Sequence, residues 1–431
     1  MMHDPTHFNV SAWYGRPPNH WRPTRLKHLF CEKRATSTPA FPPGAISFGT
    51  VVQKEMLNED TLDSYQDVCA GDFLVNPINL NYDLKSLRTA LSDINVRVSP
   101  AYIVLRHREG NSPRYLRWLL HQFDVVHMKT LGAGVRQTIT FPTMGNCQVF
   151  VPPTAEQERI ANFLDEQTAR IDALIAEKQE LLESLKKHQY SYASELMTKG
   201  QDLTAQLADA SHPELGAIPA HWSVKRLKFL GEVRSGIAKG KDHGERDTVL
   251  MPYLRVANVQ DGYVDLTNVL EIEVGIHEVE RYLLCKGDVL MNEGGDNDKL
   301  GRGTVWEGQI DPCVHQNHVF AVRLFDTSLA EWVARFTSTD AARNYFFLRS
   351  KQSTNLASIN QSNVRELPVP MPPKAEREEI LAELQRAVVA NEGLAEHVIA
   401  HLNRLREYRS SLISAAVTGQ LDLSSFKNAV Q

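Results

Sequence analysis

Between Ala155 and Thr198 the chain has neither glycine nor proline. Alternate hops of four and three residues land on Ile160, Leu164, Gln167, Ile171, Leu174, Lys178, Leu181, Leu185, His188 and Tyr192, seven of ten apolar. The same hops further on give Ile380, Leu384, Ala387, Asn391, Leu394, Val398, His401, Leu405, Tyr408 and Leu412, eight of ten apolar. This period predicts a coiled-coil seam in each stretch, and Pro152-Pro153 and Pro372-Pro373 suit the helix starts. At 1.5 Å per residue, about 43 residues make a rod of roughly 65 Å, whose apolar stripe needs a partner. The two rods are expected to pair antiparallel about a pseudo-twofold, which would set the globular parts at opposite ends. Gln167, Lys178, His188, Asn391 and His401 interrupt the seam, either to fix register or because they face solvent.

The rods belong to a longer repeat. His20-Trp21, with Arg25-Leu26-Lys27 and Leu29, returns as His221-Trp222, with Arg226-Leu227-Lys228 and Leu230, at an offset of 201. Gly71-Asp72-Phe73-Leu74-Val75-Asn76 returns as Gly287-Asp288-Val289-Leu290-Met291-Asn292, offset 216. Tyr102-Ile103-Val104 lines up with Phe320-Ala321-Val322, offset 218, and Pro152-Pro153, Glu156 and Ile160 match Pro372-Pro373, Glu376 and Ile380, offset 220. Offsets that only rise describe one order of elements with insertions, hence a fixed frame with a variable middle, where binding specificity usually sits. The expected organisation is a first head over 1–151, a long helix over 152–203, a return linker over 204–219, a second head over 220–371, a second helix over 372–418 and a frayed tail over 419–431. Short strand signals mixed with amphipathic stretches at Tyr115–Phe123 and Leu329–Phe336 make each head α+β.

Composition excludes some classes. With 431 residues, 42% hydrophobic and 23% charged, the chain is globular rather than disordered. Its apolar runs are too short to span a bilayer, and its opening residues lack a signal-peptide pattern, so no membrane association is expected. Five cysteines lie at least 28 residues apart, which gives no metal clip or disulfide framework and fits a reducing cytoplasm. The net charge is -5, yet residues 1–150 carry 16 Lys+Arg against 12 Asp+Glu, so the first head alone leans basic.

No catalytic or nucleotide-binding motif emerges. Gly295 to Gly301 lacks the Lys-Ser/Thr of a phosphate loop, and Asn76-Pro77-Ile78-Asn79 lacks the aromatic that an amino-methyltransferase stacks on its target base. His397 and His401 have zinc-helix spacing without the glutamate, and His315 and His318 have no third ligand nearby, so no metal is expected. What remains is hydrogen-bonding loop chemistry. Arg34, Lys129, Arg136 and Gln137 in the first head, and Lys239, Lys241, Asn297, Lys299, Arg302, Asn360 and Gln361 in the second, are candidates to touch DNA bases or phosphates.

The combination resembles the specificity subunits of type I restriction-modification systems. It is carried by Ile218-Pro219-Ala220-His221-Trp222 with Arg226-Leu227 and Leu230, by Gly287-Asp288-Val289-Leu290 and Gly301-Arg302-Gly303, and by the Pro-Pro, Glu and Ile openings of both helices. The resemblance implies two target-recognition domains, each reading half of a bipartite site on double-stranded DNA, separated by antiparallel helices. It further implies docking of two modification (methyltransferase) subunits that carry the S-adenosylmethionine chemistry, so that this chain needs no cofactor and is no enzyme, and of restriction subunits that cleave. The first copy departs from the pattern, with Pro17-Pro18-Asn19 before His20-Trp21 instead of Ile-Pro, and without a counterpart of Gly294–Gly303. A non-DNA coiled-coil scaffold that joins protein partners is the alternative from another class.

Overall fold

A computed structural model describes residues 13–38, 40–55, 64–78, 87–132, 138–240, 244, 246–295, 300–352 and 357–423. Its contacts group into two units, Met1–Lys178 with Ala400–Gln431, and Gln179–Ile399. Each unit holds one head and a stretch of both long helices.

In the first unit, β1 (Arg22–Arg25), β2 (Phe30–Glu32), β3 (Phe73–Val75), β4 (Thr89–Leu91), β5 (Ile103–His107) and β6 (Gln148–Val151) form two antiparallel assemblies. One is a four-stranded sheet in the order β2-β5-β3-β4, and the other is the ribbon β1-β6. The central strand β3 is buried along its whole length, as an apolar Phe-Leu-Val run between two neighbours should be. Helix α1 (Pro113–Val126) starts at Ser112, whose hydroxyl accepts from the Tyr115 N–H, with proline at the first helical position. It lays Tyr115, Leu116, Leu119 and Phe123 on the core. Helix α2 (Thr154–Lys199) begins in this unit.

The second unit repeats this plan with β7 (Ser223–Arg226), β8 (Gly231–Ser235), β9 (Val289–Asn292), β10 (Gly303–Val305), β11 (Val319–Leu324) and β12 (Pro368–Met371). The sheet order is β8-β11-β9-β10, with the ribbon β7-β12 beside it. Helix α3 (Ala330–Thr337) buries Trp332, Val333 and Phe336, and α4 (Lys374–Val417) follows β12. The expected α+β heads, long helices and internal repeat are all present.

Both units show the helices antiparallel. In the first, Ile160, Leu164 and Ile171 near the start of α2 share a core with Leu412, Ile413 and Val417 at the end of α4. In the second, Leu196 and Met197 at the end of α2 share one with Ile380 and Leu384 near the start of α4.

Two details of the sequence reading are corrected. Strand pairing sets Leu74 opposite Val104 and Leu290 opposite Ala321, so Val104 corresponds to Ala321 and the offset is 217, not 218. Three consecutive apolar residues in a strand buried on both faces fit either register. The seam is also one residue out of phase at alternate steps. Leu174, Leu181, Leu394 and Tyr408 are exposed and His188 and His401 face solvent, whereas Thr168, Ile175, Leu182 and Leu402 turn inward. Adjacent apolar pairs such as Leu174-Ile175 and Leu181-Leu182 let a hop of three or four satisfy the same count.

The return segment is ordered. Leu207–Asp209 pairs with Ala217–Pro219, Leu215 and Ile218 join the core of the second unit, and Glu214 pairs with Arg349. Leu421 and Leu423, in the stretch read as a frayed tail, pack against the core of the first unit.

Candidate functional site

The repeated motifs build the same two devices in each unit. The first is a clamp between head and helix. In the first unit Glu156, in the first turn of α2, takes the His20 ring Nε2 at 2.8 Å and the Trp21 indole N–H at 3.1 Å. In the second, Glu376 takes His221 at 2.8 Å and Trp222 at 3.0 Å. A carboxylate in the first turn also suits the positive end of the helix dipole. The far end of a helix closes each clamp. Gly419, past the end of α4, lies against Pro18 and Trp21, so closely that a Cβ there would sit 2.3 Å from Pro18 Cδ. Gly200, past the end of α2, lies against Trp222 and Glu376 in the same way. Both have positive φ, +75° and +74°, the left-handed helix end that glycine adopts freely.

The second device is a buried aspartate after a left-handed glycine, Gly71 at φ +90° and Gly287 at +92°. Asp72 Oδ2 accepts from the Cys69 N–H at 2.9 Å and from Lys33 Nζ at 2.7 Å, and its Oδ1 accepts from Arg106 Nε at 3.2 Å. Asp288 accepts from the Cys285 N–H at 2.9 Å and is gripped twice by Arg323, at 2.9 and 2.7 Å. That hydrogen bond holds the Arg323 guanidinium above its ordinary pKa. Both aspartates are 2% exposed, so each buried carboxylate anchors a basic side chain that reaches it from the more exposed side of the sheet. The Gly-Asp repeat announced this device, but its arginine partners lie more than thirty residues away.

Other buried ionisable groups differ between the units. Burial, with Arg409 and Arg117 nearby, pushes the His121 pKa down to about 4, and burial likewise takes His315 to about 4 although its Nδ1 meets the Val319 carbonyl at 2.6 Å. Burial pushes Asp124 up to about 6, against the opposing pull of the Arg88 N–H and of Arg88 and Lys129. His318 pairs with Glu293, and among the described residues no cluster of three or more His, Cys, Asp or Glu could hold a metal ion.

Arg34 and Lys239 are exposed, and Lys129 is half-buried in the turn after α1. Arg302 donates to Gln260 Oε1 at 2.9 Å and lies 3.5 Å from Asp261, which also binds Arg343 at 3.1 Å. Asn360 caps the helix Gln361–Arg365 by exchanging hydrogen bonds with Asn363, and the Gln361 amide donates to the Val233 carbonyl. These last three thus make hydrogen bonds within the second head, while Arg34 and Lys239 are exposed. Arg136, Gln137, Lys241, Asn297 and Lys299 lie outside the described residues. No helix among the described residues is long and apolar enough to cross a membrane.

No protein-family model matches the chain. In sequence it is similar to a Methanocaldococcus jannaschii protein named for the type I restriction enzyme MjaX specificity subunit, 25% identical over 39% of this chain and 39% of that one. It is 25% identical to the EcoKI specificity subunit of Escherichia coli over 63% of this chain and 57% of that one. With the StySPI specificity subunit of Salmonella potsdam it shares 24% identity over 75% and 71%. The matches thus span less than two thirds of the first two relatives. In structure it superposes with a TM-score of 0.66 and 16% identity, over 94% of this chain and 100% of the other, on a chain solved in a study of complex assembly and conformational transition in a type I restriction-modification system.

Proposed function

From the premise that this chain is a relative of the type I specificity subunits in sequence and shares their fold, we propose that it selects the DNA sequence on which a type I restriction-modification enzyme acts. Each head reads one half of a bipartite site in double-stranded DNA, and the antiparallel helices set the separation of the halves. The helices dock two modification subunits, which bring S-adenosylmethionine and the methyl transfer, and restriction subunits join that core in the cytoplasm. The chain itself supplies recognition and no catalysis.

The observation that carries this reading is the duplicated frame. Both heads have the same sheet order, aspartate brace and helix clamp, and they diverge in the segments between, as two readers of different half-sites would. Exposed Leu174 and Leu181 on α2, and Val389, Leu394, Ile399 and Tyr408 on α4, supply apolar flanks for the docking. Arg34, Lys129, Arg136, Gln137, Lys239 and Lys241, with Asn297 and Lys299, are the proposed base and phosphate contacts; Arg302, Asn360 and Gln361 position the loops around them.

The test is retention of duplex DNA by the chain co-expressed with its modification subunit, measured from low to high salt. Sequence-selective retention that weakens linearly in log salt is expected, because phosphate contacts release counterions. Salt-independent behaviour, or no DNA retained at any salt, would leave the scaffold reading in its place.

A further inference from the structure

The first head carries a hairpin whose tip is built against local preference. Gly44–Ser47 pairs with Thr50–Gln53, with Ser47 opposite Thr50, so the loop is the two residues Phe48-Gly49. Their φ values are +46° and +79°, both left-handed, as a type I′ turn requires. Gly49 suits such a turn, and asparagine would suit the position before it. Phenylalanine there is an outlier, because its Cβ crowds the backbone at positive φ. The ring is also 82% exposed, so no packing offsets the strain.

The arm beneath the tip is firmly seated. Ala45 is buried, Ile46 and Val51 pack on the cluster of Val68, Leu74, Val96, Val98 and Val104, and a Cβ on Gly44 would lie 2.7 Å from Val96. Leu87 closes on Gly49, and the Thr50 hydroxyl donates to the Ser47 carbonyl at 2.7 Å. A strained residue that persists on a rigid support points to function. From Ala40 to Gln53 there is no charged side chain, so the arm itself brings no carboxylate toward a phosphate, and this is the head that leans basic. The flanking residues Ser47, Gly49 and Thr50 are small or polar and the ring stands 82% exposed, with Leu87 seated against Gly49 rather than over the ring, unlike the buried anchor of a protein–protein hot spot. A lone ring on a narrow arm matches instead the apolar wedges that enter base steps.

We propose that Phe48 is such a wedge, stacking on or between bases of the half-site read by the first head. The inference rests on the DNA-reading function above and adds a residue and a contact chemistry to it. The experiment uses the full chain with its modification subunit and a labelled duplex carrying the site identified by methylation mapping in the host. Phe48→Asn relieves the turn, so its melting temperature should equal or exceed wild type, by about 2–4 °C. Its DNA affinity should fall about tenfold, while Phe48→Trp stays within about threefold of wild type. A 2-aminopurine placed in the half-site of the first head should brighten on binding wild type, and not Phe48→Asn, if the ring opens the stack. Unchanged DNA affinity in Phe48→Asn overturns the proposal, as does loss of the modification subunit in place of DNA, which would make the tip a protein anchor. A wild-type complex that retains no DNA overturns the parent reading, and the wedge with it.

Discussion

The two units share a frame and differ in how the head meets the helices. In the first unit the junction is ionic. Arg114, Arg117 and the Trp118 indole converge on Asp165 of α2, and Arg409 of α4 grips Asp172 of α2 at 2.8 and 3.1 Å. In the second unit the positions 220 residues on are Gln385 and Glu392, and the Trp332 indole turns to the Pro370 carbonyl at 2.8 Å. There Arg335 reaches Gln385 at 3.1 Å, and the Tyr192 hydroxyl reaches Glu383 at 3.1 Å. Ala193 stands where the first unit has Ile413, and a cavity of about 370 Å³ opens beside it, lined among others by Tyr190, Tyr263 and Arg335. Where the chain enters a head and a helix begins, residues repeat; along the flank where head leans on helix, the units solve the same packing problem with different chemistry.

The comparison stands on the corrected seam, and the largest effect expected tests that first. Leu402 is 4% exposed and its neighbour His401 faces solvent. Leu402→Ala should destabilise the first unit by about 3 kcal/mol through lost burial and the cavity left behind. His401→Ala should change stability by less than about 0.5 kcal/mol. Urea unfolding of the two variants decides it; a larger loss for His401→Ala would restore the phase that hops of four and three predict.

That phase error shows what the sequence could and could not tell. Helix existence, antiparallel pairing and the duplication were legible because they rest on periods and offsets sustained over many residues. Phase was not, because Leu174-Ile175 and Leu181-Leu182 offer an apolar side chain to either choice. The clamp was half legible: Glu156 and Glu376 repeat with the His-Trp pairs, but only folding brings each within hydrogen-bond reach of its tryptophan, across 135 residues in the first unit and 154 in the second. The sequence offers Asn360 and Gln361 as base readers and does not show that their amides also cap a helix and bond the Val233 carbonyl, because caps and base contacts draw on the same groups. Phe48 carried no signal, since a phenylalanine beside glycine reads as an ordinary turn until its φ is known.

A second test separates the units by acid. His315 in the second unit is held neutral by burial, with a folded pKa near 4 against 6.5 unfolded. The unfolded chain therefore takes up the proton first, so this stability is complete above about pH 6.5 and is lost as pH falls toward 4, by about 2 kcal/mol. His121 imposes the same loss on the first unit. Asp124, however, has a folded pKa near 6 against 3.8 unfolded, so the folded state protonates first and gains stability over nearly the same interval. The first unit should thus change little between pH 6.5 and 4 while the second weakens. Limited proteolysis of the full chain at about pH 7 and 4.5, with fragments identified by mass, should show the second unit cut first in acid. Asp124→Asn removes the compensation and should make the first unit equally acid-sensitive; if it does not, burial of Asp124 is not what balances His121.

The smallest effect addresses the junction itself. Ser194 and Ser414 occupy the same place in the repeated helices, offset 220, and each takes one hydrogen bond from a head. Ser414 accepts from the Gln122 side chain at 3.0 Å, whereas Ser194 accepts from the backbone N–H of Asp340 at 3.1 Å, the first residue of the helix Asp340–Arg349. An amide on a side chain can turn toward another partner when its acceptor is removed; a backbone N–H at a helix start is fixed. Ser194→Ala should therefore cost about 1–1.5 kcal/mol and Ser414→Ala about 0.5 kcal/mol, although the two changes delete the same atom. Chemical denaturation of both variants under one condition ranks them. Equal costs would mean that the junctions differ in residue names alone, and a larger cost for Ser414→Ala would mean that the ionic junction of the first unit, not the backbone contact of the second, is the more rigid seat for its head.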